Sequence, residues 1–213
     1  MPSSVRLAAD SDRLRALAAA SRGRITLVAL PTPGSPRFVL DLGFVTAGSS
    51  AYPAERRTTT RLVIDLPARY PFMPPAATIA TPIFHPNVYP SGLVCLGTKW
   101  LPSEGMDLFV RRIAQLVTFD PLIVNVQSAA NPVALHWYVQ ALRKFPQAFP
   151  TDRIEIERPD AHDAQIRWIE STAAGAARVI RQCPHCAASL RLPTGRRGTV
   201  RCPQCTRAFE TDT

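Results

Sequence analysis

The sequence lacks long apolar runs: nowhere do about 18 apolar residues follow one another, so no helical membrane span is expected. Its opening residues, MPSSVRLAADSDRLRALAAASRGR, hold no apolar core of signal-peptide length. A soluble, cytoplasmic protein without a membrane partner is the expectation. Lysine is nearly missing, because only Lys99 and Lys144 stand among 25 basic side chains and arginine supplies the rest. The coding bias of a GC-rich genome is enough to produce that. Cysteine is scarce, with five in 213 residues. Five is odd, and in a reducing compartment grouped cysteines are more often metal ligands or catalytic groups than disulfides.

What is present points to one main domain and a small appendage, since a single domain takes roughly 100 to 200 residues. The net charge of +9 is uneven: residues 178 to 213 hold seven arginines against Glu210 and Asp212, leaving +4 for the longer remainder. The pattern predicts a helix over 10–21, with Asp10 or Ser11 as cap and Leu14, Leu17 and Ala18 on one face. Alternation then marks strands at 25–29, 38–42, 62–66 and 76–80, with PTPGSP and TAGSSAYPAE as turns between them. These read as a meander.

Residues 81–102 carry Pro82, Pro86, Pro90 and Pro102 with little periodicity, and an ordered loop of that length is usually functional. Met106, Phe109, Val110, Ile113, Leu116 and Val117 then recur at helical spacing, with Arg111, Arg112 and Gln115 turned away. A further helix is expected from Asn131-Pro132 to about Lys144, because Asn caps well and Pro suits the first helical position. A short extended piece at Ile154 and Ile156 and a last helix over 160–177 complete the reading. The fold class is α+β, divided into a domain at 1–177 and a smaller one at 178–213.

Cys95 sits between Leu93-Val94 and Leu96, where composition alone describes a buried small hydrophobe. Its neighbours read YPFMPPAATIATPIFHPNVYPSGLVCLG from Tyr70, with Trp100-Leu101-Pro102 following. Tyr70, Pro71, Phe72, Pro74, Pro75, His85, Pro86, Asn87, Gly92, Cys95 and Leu96 match the active-site pattern of ubiquitin-conjugating enzymes. The segment resembles that family, as does the element order across roughly residues 8–170. The resemblance implies the ubiquitin-conjugating fold: an N-terminal helix, a four-stranded antiparallel meander, a long active-site loop and C-terminal helices.

It also implies a thioester carrier. Thiolate is both a good nucleophile and a good leaving group, so a carboxyl held on Cys95 is stable enough to carry and reactive enough to transfer to an amine. The resemblance assigns Asn87 as the amide donor to the oxyanion, though an amide that only holds the loop fits the same residue. His85 reads as structural rather than as a base. At the start of the later helix many members place an acidic residue before proline; here it is Asn131, which cannot accept a proton and serves as a helix cap or a gate contact. Phe72, Trp100 and Pro102 match ligase-facing positions, or else form a hydrophobic loop cluster. The segment from Cys95 to Trp100 is shorter than in most eukaryotic members. A carrier of activated acyl groups also benefits from few lysines of its own.

The remaining cysteines lie as CPHC at 183–186 and CPQC at 202–205, with fifteen residues between the pairs. That is the spacing of a two-knuckle site in which Cys183, Cys186, Cys202 and Cys205 hold one structural zinc; a redox dithiol pair is the alternative. His185 reads as a non-ligand. About 30 residues cannot build an adequate apolar core, so zinc should fold this tail. The segment resembles small zinc ribbons. Arg191, Arg196, Arg197 and Arg201 could contact phosphate, but Phe209 is the only aromatic there, so protein or substrate docking, a passive cap and nucleic-acid contact all stay open.

The family resemblance implies partners: a ubiquitin-like protein, an activating enzyme that consumes ATP, and a ligase or protein substrate. In prokaryotic relatives the setting is a bacterial conjugation system with an antiviral role. Rival readings are a catalytically idle conjugating-like binding module, a papain-like hydrolase using Cys95 and His136, and a basic zinc-ribbon nucleic-acid binder.

Overall fold

The computed structural model describes residues 4–154, 178–195, 197–205 and 207–212. The chain divides into two compact units, Met1–His162 and Asp163–Thr213. The expected helix over 160–177 and the domain boundary at 177/178 lie outside the described residues, as does Ile156.

In the larger unit a helix, α1 (Ser4–Ala20), leads into β1 (Ile25–Ala29), β2 (Arg37–Leu42), a two-residue pair β3 (Thr46–Ala47) and β4 (Arg56–Arg57), then β5 (Thr60–Asp65) and β6 (Ala76–Ile79). The sheet order is β1-β2-β5-β6 and every pairing in it is antiparallel. This is the expected meander, with β3 and β4 as an addition, β3 at the start of the segment read as a turn (46–55) and β4 just after its end. After the long loop come α2 (Met106–Val117) and α3 (Pro132–Lys144).

The core lies between the sheet and the helices. Phe38, Leu40 and Leu42 of β2 and Leu62 and Ile64 of β5 alternate inward, meeting Leu14 and Leu17 of α1 and Met106, Val110, Ile113 and Val117 of α2. A second cluster joins Ala47, Tyr52, Phe119 and Tyr138, with Trp137 and Phe149 packed on it. It fills the space under the loop that carries the candidate site.

The first helix starts earlier than its pattern indicates. Asp10 and Ser11 are not its cap but interior, buried residues. Ser11 Oγ donates to the Leu7 carbonyl at 2.7 Å. The Asp10 carboxylate accepts from Arg6 Nε at 2.6 Å, from the Tyr70 hydroxyl, and from the Met106 N–H at 3.3 Å. A short polar side chain is usually read as a cap because it satisfies local backbone groups; here distant partners claim it. The Asp10 contact and burial raise the Tyr70 hydroxyl well above its ordinary value, burial contributing most.

The described residues of the smaller unit form two antiparallel hairpins, β7 (Arg178–Gln182) with β8 (Ser189–Pro193) and β9 (Arg197–Arg201) with β10 (Ala208–Asp212). Its interior is small: Cys183, Leu190 and Cys202, with Leu192, Val200 and Phe209 against them. Among the described residues no helix is long and apolar enough to cross a membrane.

Candidate functional site

The segment leading to Cys95 runs along β6. Leu93 bridges Thr78, the Val94 N–H donates to the Ala77 carbonyl at 2.9 Å, and Ile79 N–H donates to Gly92 O at 2.8 Å. Gly92 is required at that close approach: its φ is +87°, and a Cβ there would lie 2.5 Å from the Ile79 carbonyl oxygen. The other side of the segment is fixed by the His-Pro-Asn turn. Cys95 N–H donates to the Asn87 carbonyl at 2.9 Å, and Val88 bridges Val94. Cys95 is thus held from both sides by backbone bonds and left half-buried.

Asn87, 1% exposed, uses both ends of its amide. Its Oδ1 accepts from Asn125 N–H at 2.9 Å and its Nδ2 donates to the Asn125 carbonyl at 2.9 Å, with Ser128 O at 3.5 Å. The amide therefore ties the Cys95 loop to residues 125–128. Asn125 was not singled out in the sequence, where it lies in an aperiodic stretch without a motif.

His85 is fully buried, its ring 4.3 Å from that of Phe119. Nδ1 accepts from Asn87 N–H at 3.0 Å, so the ring proton sits on Nε2, which faces the Leu116 carbonyl without reaching hydrogen-bond geometry. Burial pushes the imidazole down to about 3. The ring is neutral at physiological pH and braces the turn.

Asn131 is joined to the same turn, since its N–H donates to the Pro86 carbonyl at 2.9 Å. Its side chain caps α3 by accepting from Ala134 N–H at 3.1 Å. The structure thus brings His85, Asn87, Cys95 and Asn131 into one hydrogen-bonded loop system. His136 points elsewhere: it is exposed on α3 with Nε2 2.9 Å from Gln140 Nε2, and among the described residues no hydrogen bond joins it to Cys95.

Phe72 and Trp100 line a groove of about 570 Å³ with Pro74, Pro75, Leu93 and Leu96. Phe72 is 76% exposed, whereas Trp100 donates Nε1 to Pro71 O at 2.7 Å and packs edge-on to Phe109. Pro102 lies outside the groove lining; its carbonyl accepts from Arg6 Nη1 at 2.6 Å, which ties this loop to α1. Arg112, turned away from the core face of α2 as expected, reaches Thr98 Oγ1 at 3.0 Å and the Glu104 carboxylate.

In the smaller unit the sulfurs of Cys183, Cys186, Cys202 and Cys205 all lie within 4.8 Å of one another. Cys183 and Cys205 are 3.7 Å apart, as are Cys186 and Cys202. A tetrahedral ion with bonds of about 2.3 Å sets sulfurs about 3.8 Å apart, so the four residues fit one zinc-sized ion. The Cys205 and Gln204 N–H groups hold the Cys202 thiol down to about 7. The Ala188 N–H draws the Cys186 thiol down too, but burial and the three other sulfurs outweigh it and push it up to about 12. Sulfurs this close cannot all ionise without a cation among them.

Known proteins resemble the larger unit. The structure matches that of S. cerevisiae Ubc12 with a TM-score of 0.50 and 22% identity, over 68% of this chain and 75% of that one. The fold is thus the α+β ubiquitin-conjugating fold. Residues 49–151 match the family model described as "Ubiquitin-conjugating enzyme". The mouse "Ubiquitin-conjugating enzyme E2 T" is 36% identical over 95 residues, covering 45% of this chain and 46% of that protein. The Debaryomyces hansenii "Ubiquitin-conjugating enzyme E2 2" is 33% identical over 106 residues, covering 48% and 60%. Residues 49–151 of the larger unit thus match the ubiquitin-conjugating enzyme family, and the larger unit is similar to its members. The chain spans about half the length of these two curated relatives.

Proposed function

We propose that the protein carries a ubiquitin-like protein as a thioester on Cys95 and transfers it to an amine. The observation that carries this reading is the placement of Cys95: an ordered, half-buried thiol pinned between β6 and the Asn87 carbonyl, in the family's loop. The Cys95 thiolate attacks the activated carboxyl presented by an activating enzyme, which has spent ATP to make it. An amine then attacks the thioester carbonyl, the C–N bond forms, the C–S bond breaks, and the thiolate leaves.

Asn87 holds the loop to Asn125 and donates to the oxyanion when residues 125–128 yield their share of its amide. His85 keeps the turn rigid and moves no proton. Asn131 caps α3 and leaves the incoming amine to lose its proton to solvent. Phe72, Trp100 and Pro102 form the docking side for a ligase or protein substrate. Cys183, Cys186, Cys202 and Cys205 hold one structural zinc, whose closed four-thiolate site leaves no position for catalysis. Our reading sets the protein in the cytoplasm, within a bacterial conjugation system with an antiviral role, the last two supported by the family resemblance alone.

A second reading, an idle binding module, is favoured by two facts: the Asn87 amide is committed to Asn125, and Asn131 offers no carboxylate. One experiment separates them. With activating enzyme, ATP and the ubiquitin-like partner, the wild type should form a thiol-sensitive adduct. Cys95→Ser should either lose it or replace it with a base-labile oxyester. No adduct on the wild type, or an unchanged thiol-sensitive species on Cys95→Ser, overturns the carrier reading.

A further inference from the structure

The Asn87 amide is 1% exposed and already donates to the Asn125 carbonyl at 2.9 Å, so it meets an oxyanion on Cys95 only after the loop gives way. A second amide beside Cys95 is under no such claim. Asn125 N–H donates to Asn87 Oδ1 at 2.9 Å, and the Asn87 carbonyl takes the Cys95 N–H at 2.9 Å, so Asn125 is joined to the backbone of the thiol through one residue. Its side chain meets the same loop on the far side of Cys95. Gly97 has φ +67°, and a Cβ there would lie 3.1 Å from Asn125 Nδ2. Gly97 follows Cys95 by two residues, a stretch of at most about 7 Å. Asn125 thus borders the Cys95 segment both before and after the thiol.

The direction of the Asn125 amide is fixed by its other end. Oδ1 accepts from Gln127 N–H at 3.0 Å and from Ser128 N–H at 3.1 Å, closing a turn. Only a carbonyl oxygen faces two N–H groups, so the NH2 end points the other way, toward Gly97. Among the described residues Nδ2 has no hydrogen-bond partner, and Asn125 is only half-buried. A donor held in place in this way needs no reorganisation at the moment of reaction.

We propose that Asn125 Nδ2 is a further donor to the oxyanion formed on Cys95. The inference rests on the carrier reading of Cys95. A nucleophilic nitrogen attacks the thioester carbonyl, the C–N bond forms, and the carbonyl oxygen takes up the negative charge, to which Nδ2–H donates. The C=O bond then re-forms, the C–S bond breaks, Cys95 leaves as thiolate, and the nitrogen loses a proton to water. Asn125 gives up no proton and is unchanged at the end. No further reactant is consumed.

Two substitutions separate the donor from the turn. Asn125→Asp keeps an oxygen for the Gln127 and Ser128 N–H groups and the backbone bonds to Asn87, but sets a carboxylate oxygen where the donor stood. Asn125→Ser keeps a shorter oxygen for the turn and adds no charge. The zinc-loaded full-length chain is loaded at Cys95 by exchange with the 2-mercaptoethanesulfonate thioester of acetyl-glycyl-glycine and freed of excess reagent. It is then discharged with hydroxylamine at neutral pH, and the Cys95 peptide is followed by mass spectrometry. Hydroxylamine is uncharged at that pH, so no base is needed. Both variants should discharge at least about tenfold more slowly than wild type. Alkylation of unloaded Cys95 by iodoacetamide forms no oxyanion and should keep the wild-type rate in Asn125→Ser. Discharge at the wild-type rate in either variant overturns the inference and leaves the carrier reading intact. So does a parallel fall in alkylation, which would make Asn125 a brace of the loop. A wild-type Cys95 that takes no acyl group from the thioester also overturns the inference, and it leaves the carrier reading to the activating-enzyme experiment.

Discussion

At the residue scale the site depends on buried side chains that spend polar atoms on neighbouring backbone groups. Asn87 spends its amide on the Asn125 backbone, and His85 spends Nδ1 on the Asn87 N–H. Replacing Asn87 with Ala leaves the Asn125 N–H and carbonyl without that partner, at a cost of about 1–3 kcal/mol. The expected outcome is a lower melting temperature, a Cys95 that still loads, and slower discharge to a free amine. If the thermal loss appears while discharge matches wild type, Asn87 is a brace and nothing more. Much of this scale was legible beforehand. His85, Asn87, Gly92 and Cys95 stand at fixed spacings within a dozen residues, and short-range spacing is a property of the chain itself. Asn125 was not legible, because it serves Asn87 from 38 residues away in a loop with no period.

At the scale of elements, periodicity located the helices and strands well wherever one face is buried. α2 is the clear case, with Met106, Phe109, Val110, Ile113, Leu116 and Val117 all inward. α1 shows the converse. Its start at Ser4 was hidden because Asp10 looks like a cap, while its carboxylate bonds Tyr70 and the Met106 N–H, both of which lie far along the chain. β3 and β4 were unseen because two residues are too few to display alternation. The start of α3 carries a prediction. Asn131→Asp keeps the cap, since Asp and Asn cap equally well, so stability should stay within about 0.5 kcal/mol of wild type, while Asn131→Ala should lose about 1 kcal/mol. The added carboxylate should also speed discharge of loaded Cys95 to lysine by accepting the amine proton. Unchanged discharge in Asn131→Asp would mean that proton loss at this position does not limit the step.

At the scale of the whole molecule the two units differ in what holds them together. The larger has a continuous apolar core of sheet and helices. Among its described residues the smaller has a buried cluster of three, two of them cysteines, too little to stand on apolar burial alone. Metal analysis should give one zinc per chain. Chelation should open residues 178–212 to protease while the larger unit resists, and replacement of all four knuckle cysteines by Ser should remove the metal; retained zinc in that variant would sink the assignment. What the sequence by itself determined was everything encoded over a few residues: helical and strand periods, the His-Pro-Asn-to-Cys95 spacing, and the paired Cys-x-x-Cys knuckles. The tertiary structure alone decided which polar groups find one another. Asn87 meets Asn125, Asp10 meets Tyr70, and Arg6 meets Pro102 across 96 residues. A hydrogen bond between irregular segments requires only that the fold bring a donor within about 3 Å of an acceptor, and that coincidence leaves no repeat along the chain to be read.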